Sequence, residues 1–275
     1  MAINFDTLPL RAMRKGRELV WNPHEIDFTQ DAKDWLELNA DEQDLVIGQV
    51  FGFLIGERGV THDLAPLQTA LRLERGHMEE EMYITQQLFE ESTHVEFFQL
   101  WMDASLPGKL GEEVPYPRGE PSPFFKTLLP TVMQALNTDR SPEAMMRATV
   151  TYHQIIEGVL AEIGYEIFYT MIDERGIFPG LRKGVRFIQQ DEARHIAFGT
   201  YFAQRLIRDH PELEDLFVEE MEKLHALVSE TSGRFFDRYG DTVPFGLEKD
   251  RFTTLSETLY QRRLKAVLKM GHVEV

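Results

Sequence analysis

FEESTHVEFF, residues 89–98, sets an acid and a histidine into a helical seam that is otherwise apolar. Read at intervals of three and four, the seam runs Ile84, Leu88, Glu91, Val95, Phe98, Met102, and His94 lies on the neighbouring edge of the same face. An ionised glutamate turned toward a core is costly unless something compensates its charge. The fold follows from what compensates Glu91.

Glu91/His94 is one of four Glu-x-x-His pairs; the others are Glu74/His77, Glu192/His195 and Glu222/His225. Helical phase sorts them. Glu192/His195 lies in the seam Leu181, Val185, Ile188, Glu192, His195, Gly199, Phe202 and faces inward. Glu74/His77 sits at a glycine break in RLERGHMEE, and Glu222/His225 is turned about 100° from the stripe Phe217, Met221, Leu224, Val228. Both of these are expected at the surface. Two further acids point inward, Glu57 in the run Val50, Leu54, Glu57, Val60, Leu64 and Glu157 in the run Val150, His153, Glu157, Leu160, Gly164.

The six inward residues sit on four helices in a regular order. Glu57 precedes Glu91 by nearly the same interval (34 residues) as Glu157 precedes Glu192 (35 residues), as in a duplicated helix pair. One Glu from each of two helices, with Glu-x-x-His from each of two others, is the ligand pattern of a dinuclear carboxylate centre. Glu and His at i and i+3 project side by side and can share one ion. Four carboxylates balance two divalent cations, and mixed oxygen and imidazole ligation suits iron or manganese rather than magnesium or calcium.

Composition narrows the class. The 275 residues contain no cysteine, which excludes disulfides, thiolate zinc sites and iron–sulfur clusters. A net charge of −17 argues against a nucleic-acid partner. No stretch is apolar enough for a membrane span, and the charged N-terminus MAINFDTLPLRAMRKGRELVWNP lacks a secretory h-region, so a cytoplasmic protein is expected.

Helices account for most of the chain. Asn39 and Glu42 mark a start, with a helix running to about Leu64 and ended or kinked by Pro66. A second runs from near Gly76 to about Ser105. The proline- and glycine-rich LPGKLGEEVPYPRGEPSP connects it to a short helix at Phe124–Leu136. Ser141-Pro142 opens a helix to about Asp173, and GIFPG breaks it. Further helices are expected over Leu181–Asp209, from Pro211 to near Gly240, and over Leu247–Lys269. No segment alternates with period two, so one all-α domain over 1–275 is expected, a four-helix core with extra helices.

These residues resemble a ferritin-like dimetal-carboxylate protein, and more narrowly the ligand-binding oxidases similar to the ribonucleotide reductase small subunit. The likeness covers nearly the whole chain, through WNPHEIDFTQDAKDW, EMYITQQLFEESTH, RATVTYHQIIEG, DEARHIAFGT and YGDTVPFGLEKDRF. Phe98 stands where radical-bearing reductase subunits have a tyrosine, so no stable tyrosyl radical is expected there, although some reductase subunits also have Phe at this place; the closing KMGHVEV carries no docking tyrosine, which argues against a reductase role.

The resemblance implies manganese at Glu57, Glu91 and His94, and iron at Glu157, Glu192 and His195, with Glu91 bridging; a di-iron centre is the alternative occupancy. It implies that Val60 and Tyr152 become joined by an ether bond. Five residues span about 140° of an ideal helix, so Tyr152 needs a locally wide turn to reach the face of Glu157. Asp191 is expected to orient His94, and His153 to be a hydrogen-bonded core histidine rather than a seventh ligand. The implied partners are dioxygen, an unidentified electron donor, a second copy in a homodimer, and a long-chain fatty acid in room left by Gly158, Ala161, Gly164 and Ala197. A reductase subunit, a desaturase or hydroxylase component and an iron store share parts of the pattern.

Overall fold

The computed structural model describes residues 3–269 apart from 75, 110, 113, 114, 116, 119–121 and 241. The described part is helical without a strand: α1 Leu8–Glu18, α2 Thr29–Leu36, α3 Ala40–Asp63, α4 Ala65–Glu74, α5 Met78–Ser105, α6 Leu129–Ala135, α7 Pro142–Thr149, α8 Glu162–Arg175, α9 Pro179–Asp209, α10 Leu213–Asp237 and α11 Lys249–Leu268. Two segments are π-helical: Phe124–Leu128 leads into α6, and Val150–Ala161 joins α7 to α8 end to end. Part of the 106–123 connection and the closing GHVEV lie outside the described residues.

Local chemistry sets the long helices. Asn39 accepts from the backbone N–H groups of Asp41 and Glu42, and Glu42 accepts from that of Asn39, completing a capping box at the head of α3. Ser141 caps α7, with Pro142 at the first helical position. Gly176, at φ +65°, ends α8 in the left-handed conformation that favours glycine.

Several expectations need correction. The helix opened by Ser141 is not uniform: its middle is the π segment Val150–Ala161. The helix opened at Asn39 ends at Asp63, just before Pro66 as expected, and a new helix, α4, begins at once with Pro66 in its first turn. Helices α1 and α2 were not legible, because α2 serves the tertiary structure. Its Asp31 accepts from the N–H groups of Gly180 and Leu181 (2.9 and 2.7 Å) and from Trp101 Nε1 (2.8 Å), so it caps α9 from outside. Glu74/His77 stays at the surface as expected, but it is not without partners: Glu74 forms a forked ion pair with the buried Arg205 (2.8 and 2.9 Å), which also meets Glu80.

The core places α3, α5, the π segment and α9 side by side. Close approach is permitted by glycine: a Cβ on Gly184 would lie 2.0 Å from the Phe97 ring, and one on Gly199 would lie 2.1 Å from His153 Cβ. Phe98 is fully buried among Phe53, Phe97 and Phe168. Among the described residues no helix is long and apolar enough to cross a membrane.

Candidate metal centre

All six inward residues meet where these four elements touch. Ligand atoms of Glu57, Glu91, His94 and Glu192 lie within 4.8 Å of one another, and so do those of Glu91, Glu157, Glu192 and His195. Glu91 and Glu192 belong to both groups, so both carboxylates stand between the two positions; sequence reasoning singled out only Glu91 for that role. Every member is buried. The Glu222/His225 pair stays outside, with His225 stacked on Tyr260 and bonded to Ser256 Oγ.

The imidazoles point their Nδ1 atoms at the carboxylates. His94 Nδ1 is 3.5 Å from Glu57 and from Glu91 and 3.6 Å from Glu192. His195 Nδ1 is 3.0 Å from Glu91, 3.4 Å from Glu157 and 3.6 Å from Glu192. The outer nitrogens are taken: His94 Nε2 donates to Asp191 Oδ2 (3.2 Å), and His195 Nε2 donates to Glu90 Oε2 (2.9 Å). With Nε2 protonated, each Nδ1 presents a lone pair inward. Both Nδ1 atoms, Glu157 Oε2 and Glu192 Oε2 are buried without a hydrogen-bond partner. Buried polar atoms are rarely left so, and an inward-facing oxygen and nitrogen set of this kind fits two divalent cations.

Charge balance gives the same result. Burial, with Glu192 beside it, pushes Glu157 up to about 8, and burial and Glu91 raise Glu192. Burial holds Glu57 well above the usual carboxylate range despite its neighbour His94. Burial acts on Glu91 in the same sense, but His195 and His94 outweigh it and hold that acid low. The pocket is short of positive charge, which two cations would supply.

Tyr152 joins the cluster directly. Its hydroxyl donates to Glu91 Oε1 (2.6 Å) and accepts from Gln87 Nε2 (2.9 Å), which also donates to Glu157 Oε1 (3.2 Å). Burial, then Glu157 and Glu91, hold the phenol well above its ordinary value. In a π turn, residues five apart are hydrogen-bonded neighbours, so Tyr152 and Glu157 share a face. Val60 is buried on α3 one turn after Glu57. His153 belongs to neither ligand group; its Nδ1 lies 3.0 Å from Thr149 Oγ1, and burial lowers its pKa to about 3.

Two glycines expected to leave room for a ligand do not. A Cβ on Gly158 would lie 2.7 Å from Arg263 Cδ, and one on Gly164 would lie 2.4 Å from Phe53 Cε2, so side chains of the protein take that space. Glu90, Gln87, Trp21 and Arg194 are site neighbours that sequence reasoning missed. The signal for two of them is the run Tyr83, Gln87, Glu90, His94, Phe97, Trp101, all buried and all at helical spacing.

Comparison with known proteins bears on the family. Residues 8–267 match the family described as ribonucleotide reductase, small chain. A variant of an R2-like ligand-binding oxidase with aerobically reconstituted Mn/Fe cofactor is 31% identical with a TM-score of 0.88, over 97% of this chain and 99% of that one. The R2-like ligand-binding oxidase from Sulfolobus acidocaldarius is 32% identical with a TM-score of 0.85, over 97% and 92%. A further variant, with anaerobically reconstituted Mn/Fe cofactor, is 31% identical with a TM-score of 0.88, over 97% and 95%.

Proposed function

Because the chain belongs to the ribonucleotide reductase small-chain family and, within it, to the R2-like ligand-binding oxidases, we propose that it is a dioxygen-activating Mn/Fe oxidase that joins its own Val60 and Tyr152. Glu57, Glu91 and His94 would hold manganese, and Glu157, Glu192 and His195 iron. The bound pair supplies the redox capacity for reducing dioxygen. The observation that carries the reading is the Tyr152 hydroxyl, buried within the carboxylate cluster and donating to Glu91 at 2.6 Å.

The residues of the chain supply the rest. Gln87 and Glu91 fix the phenol from two sides, and Glu91 Oε1 stands as acceptor for its proton. Forming the ether makes one C–O bond between a Val60 side-chain carbon and the Tyr152 oxygen. One hydrogen leaves each residue, and the two electrons go to dioxygen. Phe98, fully buried, offers no phenol at the reductase radical position.

The proposal includes a long-chain fatty acid, a homodimer and an external electron donor, all carried by the family resemblance. A lipid tail near Gly158 must displace the side chain of Arg263, which is half-buried and whose Nε has no hydrogen-bond partner.

Mass spectrometry of protein reconstituted with Mn(II), Fe(II) and air tests the reading. The peptides holding Val60 and Tyr152 are expected to appear linked, with two hydrogens lost. Separate, unmodified peptides after oxygen exposure would overturn the oxidase reading in favour of a reductase subunit or an oxygenase component.

A further inference from the structure

We propose that Arg194 is a positioning residue that ties the two halves of the centre together, so that its two ion positions fill as a coupled pair. The inference rests on the dimetal reading above and adds to it a connection outside the ligands.

The connection is a crossed brace between α5 and α9. Asp191, on α9, accepts from His94 of α5, while Glu90, on α5, accepts from His195 of α9. Arg194 closes the figure: its Nη2 donates both to Asp191 Oδ1 and to Glu90 Oε1, the latter at 2.5 Å. A hydrogen-bonded line therefore runs His94–Asp191–Arg194–Glu90–His195 without a gap.

Each joint is held by further donors. Trp21 Nε1 donates to Asp191 Oδ2 (2.8 Å), Gln86 Nε2 donates to Glu90 Oε1 (3.1 Å), and Arg194 Nη1 donates to the Gln190 carbonyl (2.9 Å). Helix α1 lies over the brace through Gly16, where a Cβ would come within 2.7 Å of Glu90 Oε1 and 3.3 Å of Arg194 Nε. The brace is thus kept from water, where charge-assisted hydrogen bonds are strongest. One guanidinium between two carboxylates also leaves a single negative charge shared by both imidazoles.

The orientations of His94 and His195 are consequently not independent. An ion that fixes His94 through Nδ1 fixes Asp191, then Arg194, then Glu90, and so sets His195 for the second ion. That is a coupling free energy between two sites, carried by a continuous physical network. If Arg194 merely fastened α1 to the bundle, its loss would lower stability and weaken both ions alike.

Anaerobic titration of the metal-free protein with Mn(II), followed by calorimetry and by the EPR signal of isolated bound Mn(II), separates the two roles. The wild type is expected to pass from empty to doubly loaded with little singly loaded protein. In Arg194→Met the second step should weaken by about tenfold or more relative to the first, within the range for residues that support metal ligands. Singly loaded protein should then accumulate at one equivalent, and Arg194→Lys should recover part of the coupling. Glu90→Gln, which keeps side-chain volume and breaks the line at another joint, is expected to split the steps in the same way should Arg194→Met fail to fold. Equal shifts in both steps, or none, would overturn the brace while leaving the dimetal reading standing. A wild type that takes up fewer than two ions would overturn both.

Discussion

Gln87 shows how one neutral side chain organises a charged pocket. Fully buried on α5, it has an amide nitrogen that faces two acceptors, the Tyr152 oxygen and Glu157 Oε1. A buried acceptor stripped of its donor carries its desolvation penalty of about 1–3 kcal/mol, and hydrogen bonds to charged groups lie toward the upper end of the usual range. Gln87→Leu keeps the volume and removes both bonds. It is expected to lower the stability of metal-free protein by about 1–3 kcal/mol in urea unfolding. It should also reduce the fraction of chains linked between Val60 and Tyr152, because Glu91 alone then orients the phenol. Unchanged stability together with an unchanged linked fraction would make Gln87 a bystander.

At the scale of the elements, the glycines of α9 and α10 have opposite roles, and alanine distinguishes them. Gly184 lets α9 meet α5 with no clearance, since an added Cβ would sit 2.0 Å from the Phe97 ring. Gly184→Ala is expected to cost about 1–3 kcal/mol or more by overpacking. Gly233, inside α10, has open space around it, so Gly233→Ala should stabilise by about 0.4–1 kcal/mol through reduced backbone entropy in the unfolded chain. Thermal unfolding of the two variants should move in opposite directions; a shared sign would count against the packing account. Legibility in the sequence follows the same local-versus-tertiary line. The caps at Asn39 and Ser141 are read from neighbouring residues, and the inward acids Glu57, Glu91, Glu157 and Glu192 from helical phase. Asp31, by contrast, caps a helix about 150 residues away, so nothing beside it announces the role. The π segment leaves only one trace in the pattern, the five-residue step from Tyr152 to Glu157. Glu90 was hidden because an acid next to an inward acid looks like the solvated side of the helix, until its partner on α9 is known.

Across the whole molecule, the centre sets a penalty that bound cations remove. A chain of net charge −17 gathers four carboxylates into one buried pocket, where burial raises Glu57, Glu157 and Glu192 toward the protonated form. Cations that bind the folded pocket and not the unfolded chain shift unfolding by mass action, about 2.7 kcal/mol per site at a hundredfold excess over Kd. Two such sites give about 5 kcal/mol, which for a domain of this size is a rise in melting temperature on the order of 10 °C. Mn(II) or Fe(II) added without oxygen is therefore expected to raise the melting temperature by about that much, and a chelator to reverse it. Mg(II), which suits all-oxygen ligation and keeps its waters, should have little effect on a site with two imidazoles. Glu57→Ala leaves one ligand group complete and removes a member of the other, so its response to Mn(II) should fall toward that of one ion. Equal rises with Mg(II) and Mn(II), or a full response in Glu57→Ala, would mean that the stabilising cations bind elsewhere on the acidic surface.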